Sequence, residues 1–258
     1  MRNILTSMAL SVLIVTSVYA YMGEVLASWP SPKYPNAMDA NGITFDGGYI
    51  WIKGSMAESS GVLRCTTTGS LVNEITFPYH GYGKSNGLAF DGQYLWTIYH
   101  QMQQEQWDHY VRYTTTGSEV SAFVAHRTPP YLDSRAVTWD GQYIWTDERL
   151  STITAGKYTT AGSLLGTFAM PFGWATDGAY YNGQIWSGSG AYIYGTVIGA
   201  STLVGSFSAP GGSCRAVGFD GEYLWTADAN TPQYIYKVDI DVVDVEPGSF
   251  GKIKGMYR

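Results

Sequence analysis

The chain has little charge. Lys, Arg, Asp and Glu make up 14% of its 258 residues, against about 25% in an average soluble domain. The 15 basic residues are outnumbered by 21 acidic ones, for a net charge of −6. No basic stripe exists to neutralise phosphates, so nucleic-acid binding is excluded. Cysteine is nearly absent, with only Cys65 and Cys214, too few and too far apart for a zinc framework. There are four histidines, His80, His100, His109 and His126, and none lies in a metal-ligand spacing such as His-Glu-x-x-His. There is no Gly-x-Ser-x-Gly elbow and no phosphate loop. No helical period appears. No apolar run after residue 20 is long enough to cross a membrane as a helix, which takes about 20 residues.

What the chain has instead is glycine, 31 residues, and aromatics, 15%, and they fall into a repeat. One phrase recurs five times: Gly42-Ile-Thr-Phe-Asp-Gly-Gly-Tyr-Ile-Trp51, Gly87-Leu-Ala-Phe-Asp-Gly-Gln-Tyr-Leu-Trp96, Ala136-Val-Thr-Trp-Asp-Gly-Gln-Tyr-Ile-Trp145, the shorter Gly178-Ala-Tyr-Tyr-Asn-Gly-Gln-Ile-Trp186, and Ala216-Val-Gly-Phe-Asp-Gly-Glu-Tyr-Leu-Trp225. Successive tryptophans stand 45, 49, 41 and 39 residues apart. A period near forty with strand-like content is that of a β-propeller, one blade per repeat.

Each repeat reads as four antiparallel strands. Asp-Gly or Asn-Gly between apolar runs predicts a hairpin through a type I′ turn. A third strand follows, as in Val62 to Thr66 and Tyr110 to Thr114. A polar turn such as Thr67-Thr-Gly-Ser70 then leads to a fourth, as in Leu71 to Phe77. The fifth copy has no fourth strand of its own. Gly23 to Pro30 resembles the fourth-strand phrases elsewhere and is expected to supply it, with Val25 and Trp29 buried. The predicted fold is all-β: a single five-bladed propeller over residues 21–242, closed by an N-terminal strand at 23–30.

Residues 1–20 read as a secretory signal peptide. Arg2 precedes an apolar stretch from Ile4 to Val18, and Val18-Tyr-Ala20 offers a cleavage site. The mature chain is expected outside the cytoplasm, secreted, at the cell surface or in the periplasm, with no membrane span. Export would permit a disulfide, but Cys65 falls on a third strand and Cys214 just before an inner strand. Two free, buried thiols are expected.

The repeated Asp-Gly carboxylates are turn residues on this reading, and the repeated Trp and Tyr pack between blades. The candidate site lies at the other end of the ring. Aligning the copies on the inner-strand phrase places Asn41, Asn86, Arg135, Asp177 and Arg215 together, polar in every copy and expected around the mouth of the central channel. The segments after the second strands add Lys53, His100, Asp147, Glu148 and Asp228. The longest, Ile98 to His109, includes Trp107. His80, His126 and Tyr131 belong to the loops entering the inner strands at the same end. Asp239, Asp241, Asp244 and Glu246 fit no calcium loop. No metal and no cofactor are called for.

The Phe-Asp-Gly-x-Tyr-Leu-Trp phrase resembles the blades of secreted bacterial propellers of the YVTN and NHL-like type, across residues 23–242. It is also similar to the inner-strand phrase of the five-bladed glutaminyl cyclotransferases. In that family an acidic residue precedes the inner-strand Gly-Leu, where this chain has Asn41-Gly42 and Asn86-Gly87. The leading expectation is a non-enzymatic scaffold that binds a glycan, peptide or protein. The alternative is an enzyme of lyase, cyclotransferase or glycosidase type at the channel mouth, with Asp177 as the ring carboxylate. Residues 243–258 follow the last blade and combine Lys252, Lys254 and Arg258 with Phe250, Ile253, Met256 and Tyr257. Two readings stand for 245–258, a loose end and a docking peptide for self-association.

Overall fold

The computed structural model describes residues 22–32, 40–54, 60–78, 85–100, 108–125, 134–149, 153–171, 177–199 and 202–240. They form twenty strands and one turn of 3-10 helix, Pro210–Gly212. Among them no helix is long and apolar enough to cross a membrane. The strands make five four-stranded antiparallel sheets. Blade one is β2 (Ala40–Phe45), β3 (Ile50–Gly54), β4 (Ser60–Cys65) and β5 (Leu71–Phe77). Blade two is β6 (Ser85–Phe90), β7 (Leu95–His100), β8 (Asp108–Tyr113) and β9 (Glu119–Ala125). Blade three is β10 (Val137–Trp139), β11 (Ile144–Arg149), β12 (Ile153–Tyr158) and β13 (Leu164–Ala169). Blade four is β14 (Gly178–Tyr181), β15 (Gln184–Ser189), β16 (Tyr192–Val197) and β17 (Thr202–Ser208). Blade five is β18 (Ala216–Phe219), β19 (Leu224–Ala227) and β20 (Tyr234–Asp239), completed by β1 (Glu24–Pro30) on the far side of β20. The inner strands touch in the cyclic order β2, β6, β10, β14, β18 and back to β2, so the ring is closed.

The closing strand pairs Trp29 with Ile235 and Glu24 with Asp239. Trp29 is buried as expected, but Val25 is 45% exposed. The register slips between Val25 and Ala27, and such a bulge turns neighbouring side chains outward. Five apolar clusters fill the spaces between blades. Cys65 and Cys214 are both buried and free, and they belong to different clusters. Burial pushes both thiols up to about 12, so neither is a ready nucleophile.

The hairpins are built differently from the Asp-Gly type I′ expectation in four blades. Asp46 has no positive φ. The turn centres instead on Gly47 (φ 93°) and Gly48, and the Asp46 N–H bonds the Tyr49 carbonyl. The aspartate precedes the turn and holds it. Its Oδ1 accepts from the N–H groups of Gly48 and Tyr49, and its Oδ2 accepts from Trp51 Nε1 at 2.8 Å. Asp91, Asp140 and Asp220 repeat the arrangement with Trp96, Trp145 and Trp225. A cation from the third strand covers each aromatic pair: Arg64 over Tyr49 and Trp51, Arg112 over Tyr94 and Trp96, Lys157 over Tyr143 and Trp145, Lys237 over Tyr223 and Trp225. These carboxylates are structural, as the sequence indicated.

Only blade four has the two-residue turn with positive φ at both centres, Asn182 (47°) and Gly183 (79°). The hairpin is as long as the others, with Tyr181 in the place of the aspartate and paired directly with Gln184. Gln184 Oε1 takes the indole N–H of Trp186. Gly195, opposite Trp186, replaces the cation; a Cβ there would meet the indole at 2.7 Å.

Candidate functional site

The inner strands run side by side at the axis, close enough that small residues are required. A Cβ on Gly42 would meet the Leu88 backbone at 2.7 Å. Blade four departs from this pattern. The tryptophans pair with Thr44, Ala89, Thr138, Ala179 and Gly218. Two residues before each partner stand Gly42, Gly87, Ala136, Asp177 and Ala216. Asp177 therefore does not align with Asn41, Asn86, Arg135 and Arg215, as the phrase alignment placed it. It occupies the small-residue position, one step along, because the hairpins are equal in length, with Ala179 as far from Trp186 as Thr44 is from Trp51, so Asp177 and not Gly178 matches Gly42.

The consequence is a carboxylate inserted at the axis. Asp177 is 1% exposed. Its Oδ2 accepts the N–H of Ile43 at 2.7 Å, and its Oδ1 accepts that of Leu88 at 3.4 Å. The Gly178 N–H also bonds it. A side chain of blade four thus reaches the unpaired strand edges of blades one and two, which lie opposite in a five-membered ring. Burial raises its pKa well above the ordinary carboxylate range, against the pull of those three amides and of Lys53.

Lys53 lies on β3 and is fully buried. Its Nζ donates to Asn41 Oδ1 at 3.1 Å and to the Ser85 carbonyl at 2.7 Å. Asn41 Nδ2 donates to the Ser85 carbonyl and to Asn86 Oδ1, at 2.8 and 3.1 Å. Thr97 Oγ1 donates to the carbonyls of Asn86 and Gly87. Burial brings the Lys53 amine down to about 7, while the charge of Asp177 pulls it upward. Beyond Asp177, toward the hairpin end, the axis holds a cavity of about 90 Å³ lined by the inner strands, including Thr44, Thr138 and Gly178. That is room for a few waters and not for an organic ligand.

The remaining candidates separate into three groups. Asn86, Arg135 and Arg215 are half-buried at the loop-bearing end. Asp147 is buried within β11, and its Oδ1 accepts from the N–H groups of Arg135 and Ala136, at 2.6 and 2.8 Å. Asp228 is buried, its carboxylate accepting from the N–H of Tyr234, the side chain of Asn230 and the hydroxyl of Tyr236. These two aspartates shape the connections that frame the axis. The long segment in blade two is shorter than expected, because β7 extends to His100 and β8 begins at Asp108. His100 pairs with Asp108 and Glu148 with Thr154 along the strands. Trp107, His80, His126 and Tyr131 lie outside the described residues. Among the described residues no three His, Cys, Asp or Glu side chains are grouped to hold a metal.

Two members of this framework gave no signal in the sequence. Ser85 enters through its backbone carbonyl. Gln233 joins blade five to blade one, with Oε1 accepting from Ala40 N and Nε2 donating to the Asp228 carbonyl. Both are single polar residues outside the repeated phrase.

No protein-family model matches the chain, and no curated protein matches it in sequence. Solved structures do match in shape. The crystal structure of Myxococcus xanthus glutaminyl cyclase superposes with a TM-score of 0.63 at 13% identity, covering 86% of this chain and 97% of that one. Virginiamycin B lyase from Staphylococcus aureus gives a TM-score of 0.48 at 15% identity, over 83% of this chain and 98% of that one. The likeness to the cyclase is one of fold: this chain is a five-bladed β-propeller similar in architecture to that enzyme.

Proposed function

We propose that this protein is an exported binding propeller whose ligand seats at the loop-bearing end of the axis, over Asn86, Arg135 and Arg215. The observation that carries the reading is the state of Asp177. It is the one acid that the sequence placed at the channel mouth, and it is buried and engaged by amides of three blades. A carboxylate so placed closes the axis and supports a floor on which a ligand can rest. Two arginines beside that floor suit a ligand carrying a carboxylate or another anionic group. Export rests on the leader-like residues 1–20.

A second reading, an enzyme of lyase, cyclotransferase or glycosidase type at the same place, is favoured by one observation. The Lys53 amine titrates near neutrality beside a buried carboxylate, a condition that suits proton transfer, and the same fold serves Myxococcus xanthus glutaminyl cyclase.

The test is a thermal-shift screen of the full chain against acidic glycans, peptides and small carboxylates, with product analysis of each hit. Binding is expected to weaken at least tenfold in Arg135→Ala/Arg215→Ala at an unchanged melting temperature. A hit that wild type converts to product, and that folded Lys53→Met or Asp177→Asn does not, would establish the enzyme instead.

A further inference from the structure

The outer rim of the ring is made of sheet edges that carry a bulge near one end and no lysine. Among the described residues, β1, β5, β9, β13 and β17 each bond a neighbour on one side only. Proteins commonly blunt such edges with lysine or proline. These five strands contain no Lys or Arg, and their only proline is Pro30, at the end of β1. Each has a register slip close to its start, and large apolar side chains point outward there. Val25, Leu26, Leu71, Val72, Val120, Leu164, Leu165 and Leu203 are all between 40% and 52% exposed. The only charges on these strands are negative: Glu24, Glu74 and Glu119.

Residues 249–258, Ser-Phe-Gly-Lys-Ile-Lys-Gly-Met-Tyr-Arg, have the complementary make-up. They carry three cations and no acid. Read as a strand, Lys252, Lys254 and Arg258 fall on one face together with Phe250 and Met256, and Ile253 and Tyr257 fall on the other with Gly251 and Gly255. Gly255 and Gly251 leave the backbone open to approach by another strand. Residues 241–248 separate this segment from β20 with Asp241, Asp244 and Glu246. That spacer can extend about 25 Å, and its acids repel the adjacent edge of the same chain at Glu24.

We propose that residues 249–258 of one copy add as a fifth strand to the outer edge of β5 in a second copy, joining rings to one another. In β5 the run Leu71, Val72, Asn73 and Glu74 is exposed throughout, which offers apolar contact and a carboxylate beside an open backbone edge. Strand addition of this kind takes its affinity from main-chain hydrogen bonds and its specificity from alternate side chains.

The experiment is light scattering on the full chain in the micromolar to high-micromolar range, alone and with a synthetic peptide of residues 245–258. Concentration-dependent association is expected for wild type, reversed by excess peptide. Ile253→Asp/Tyr257→Asp should be monomeric, and Val72→Lys should weaken association at least tenfold, both with wild-type melting temperatures. A wild-type chain that stays monomeric overturns the proposal. So does association that survives either variant. Labelled peptide binding to the Ile253→Asp/Tyr257→Asp ring while wild type remains monomeric would mean that the segment covers an edge of its own chain, which also overturns it.

Discussion

Asp91 and its counterparts Asp46, Asp140 and Asp220 serve two needs with one carboxylate. One oxygen satisfies two turn amides and the other satisfies a buried indole. For Asp46, burial raises the pKa, but the hydrogen bonds from Trp51, Gly48 and Tyr49 and the charge of Arg64 outweigh it, leaving the group below the ordinary carboxylate value. Removing such an acceptor strands a buried donor, which costs about 1–3 kcal/mol. Asp91→Ala is expected to lower stability by about 2–3 kcal/mol in urea unfolding, and Asp91→Asn by less, because an amide oxygen still accepts. A loss under about 0.5 kcal/mol would remove the indole from the account. Lys53 gives a pH signature. Its folded pKa, about 7, lies below its ordinary 10.5, so burial disfavours the charged form. Its contribution to stability is full above about pH 10.5 and is lost as pH falls toward 7, by up to about 1.4 kcal/mol per unit. Asp177, shifted upward, acts in the opposite direction: its contribution is full below the ordinary carboxylate range and is lost as pH rises through the folded value. Lys53→Met removes the first of these and, by taking away a positive charge that holds Asp177 down, shifts Asp177 further upward, which deepens the loss of stability at high pH. From pH 7 to pH 10 the wild type should therefore gain stability relative to Lys53→Met, as read from urea midpoints. Parallel curves would mean that the amine is not held neutral in the fold.

At the level of strands, the repeat made almost everything legible. Asp-Gly and Asn-Gly marked all five hairpins, and the missing fourth strand of the last copy pointed to residues 23–30. The errors came from counting within a turn. Asp-Gly was read as the pair at the turn centre, whereas Asp46 stands before it and Gly47-Gly48 form it. The phrase of blade four spans ten residues like the others, from Asp177 to Trp186, but its first residue is not small. Matching Gly178 to Gly42 and Gly87 puts Asp177 beside Asn41 and Asn86, whereas counting back from Trp186 matches Asp177 itself to the glycines. Contacts such as Lys53 with Ser85 and Asp177 with Ile43 join residues that no local pattern relates. The closing strand is the element with the clearest test. Trp29 packs under blade one, where a Cβ on Gly69 would lie 2.6 Å from the indole, so β1 seals the junction between the first and last blades. Trp29→Ala should cost about 3–5 kcal/mol. Deleting residues 22–30 should shift the whole urea transition and not merely add a small early phase. A deletion variant with the wild-type midpoint would show that the ring does not depend on this strand.

The ring as a whole is a scaffold that hosts unrelated activities, which is why the architecture could be read from the sequence while the ligand could not. Strand number and closure follow from a pattern repeated five times. Function follows from residues that occur once. Asp177 is such a residue, and it also bears on the integrity of the molecule. Each inner strand leaves one edge of N–H and C=O groups facing the axis, and a propeller must satisfy them with side chains or water. Here one carboxylate answers amides from blades one and two while anchored in blade four, so three of the five blades share one acceptor. Asp177→Ala strands those amides or admits water. A cost of about 1–3 kcal/mol for each of the two inter-blade donors, at about 2–4 °C per kcal/mol for a domain of this size, corresponds to a fall of about 4–24 °C in melting temperature. Asp177→Asn keeps one oxygen in place and should lose less than half as much. If both variants melt with the wild type, the axis is held by its strand packing alone, and a buried acid that the fold does not need would have to be explained by chemistry, which would strengthen the enzymatic reading over the binding one.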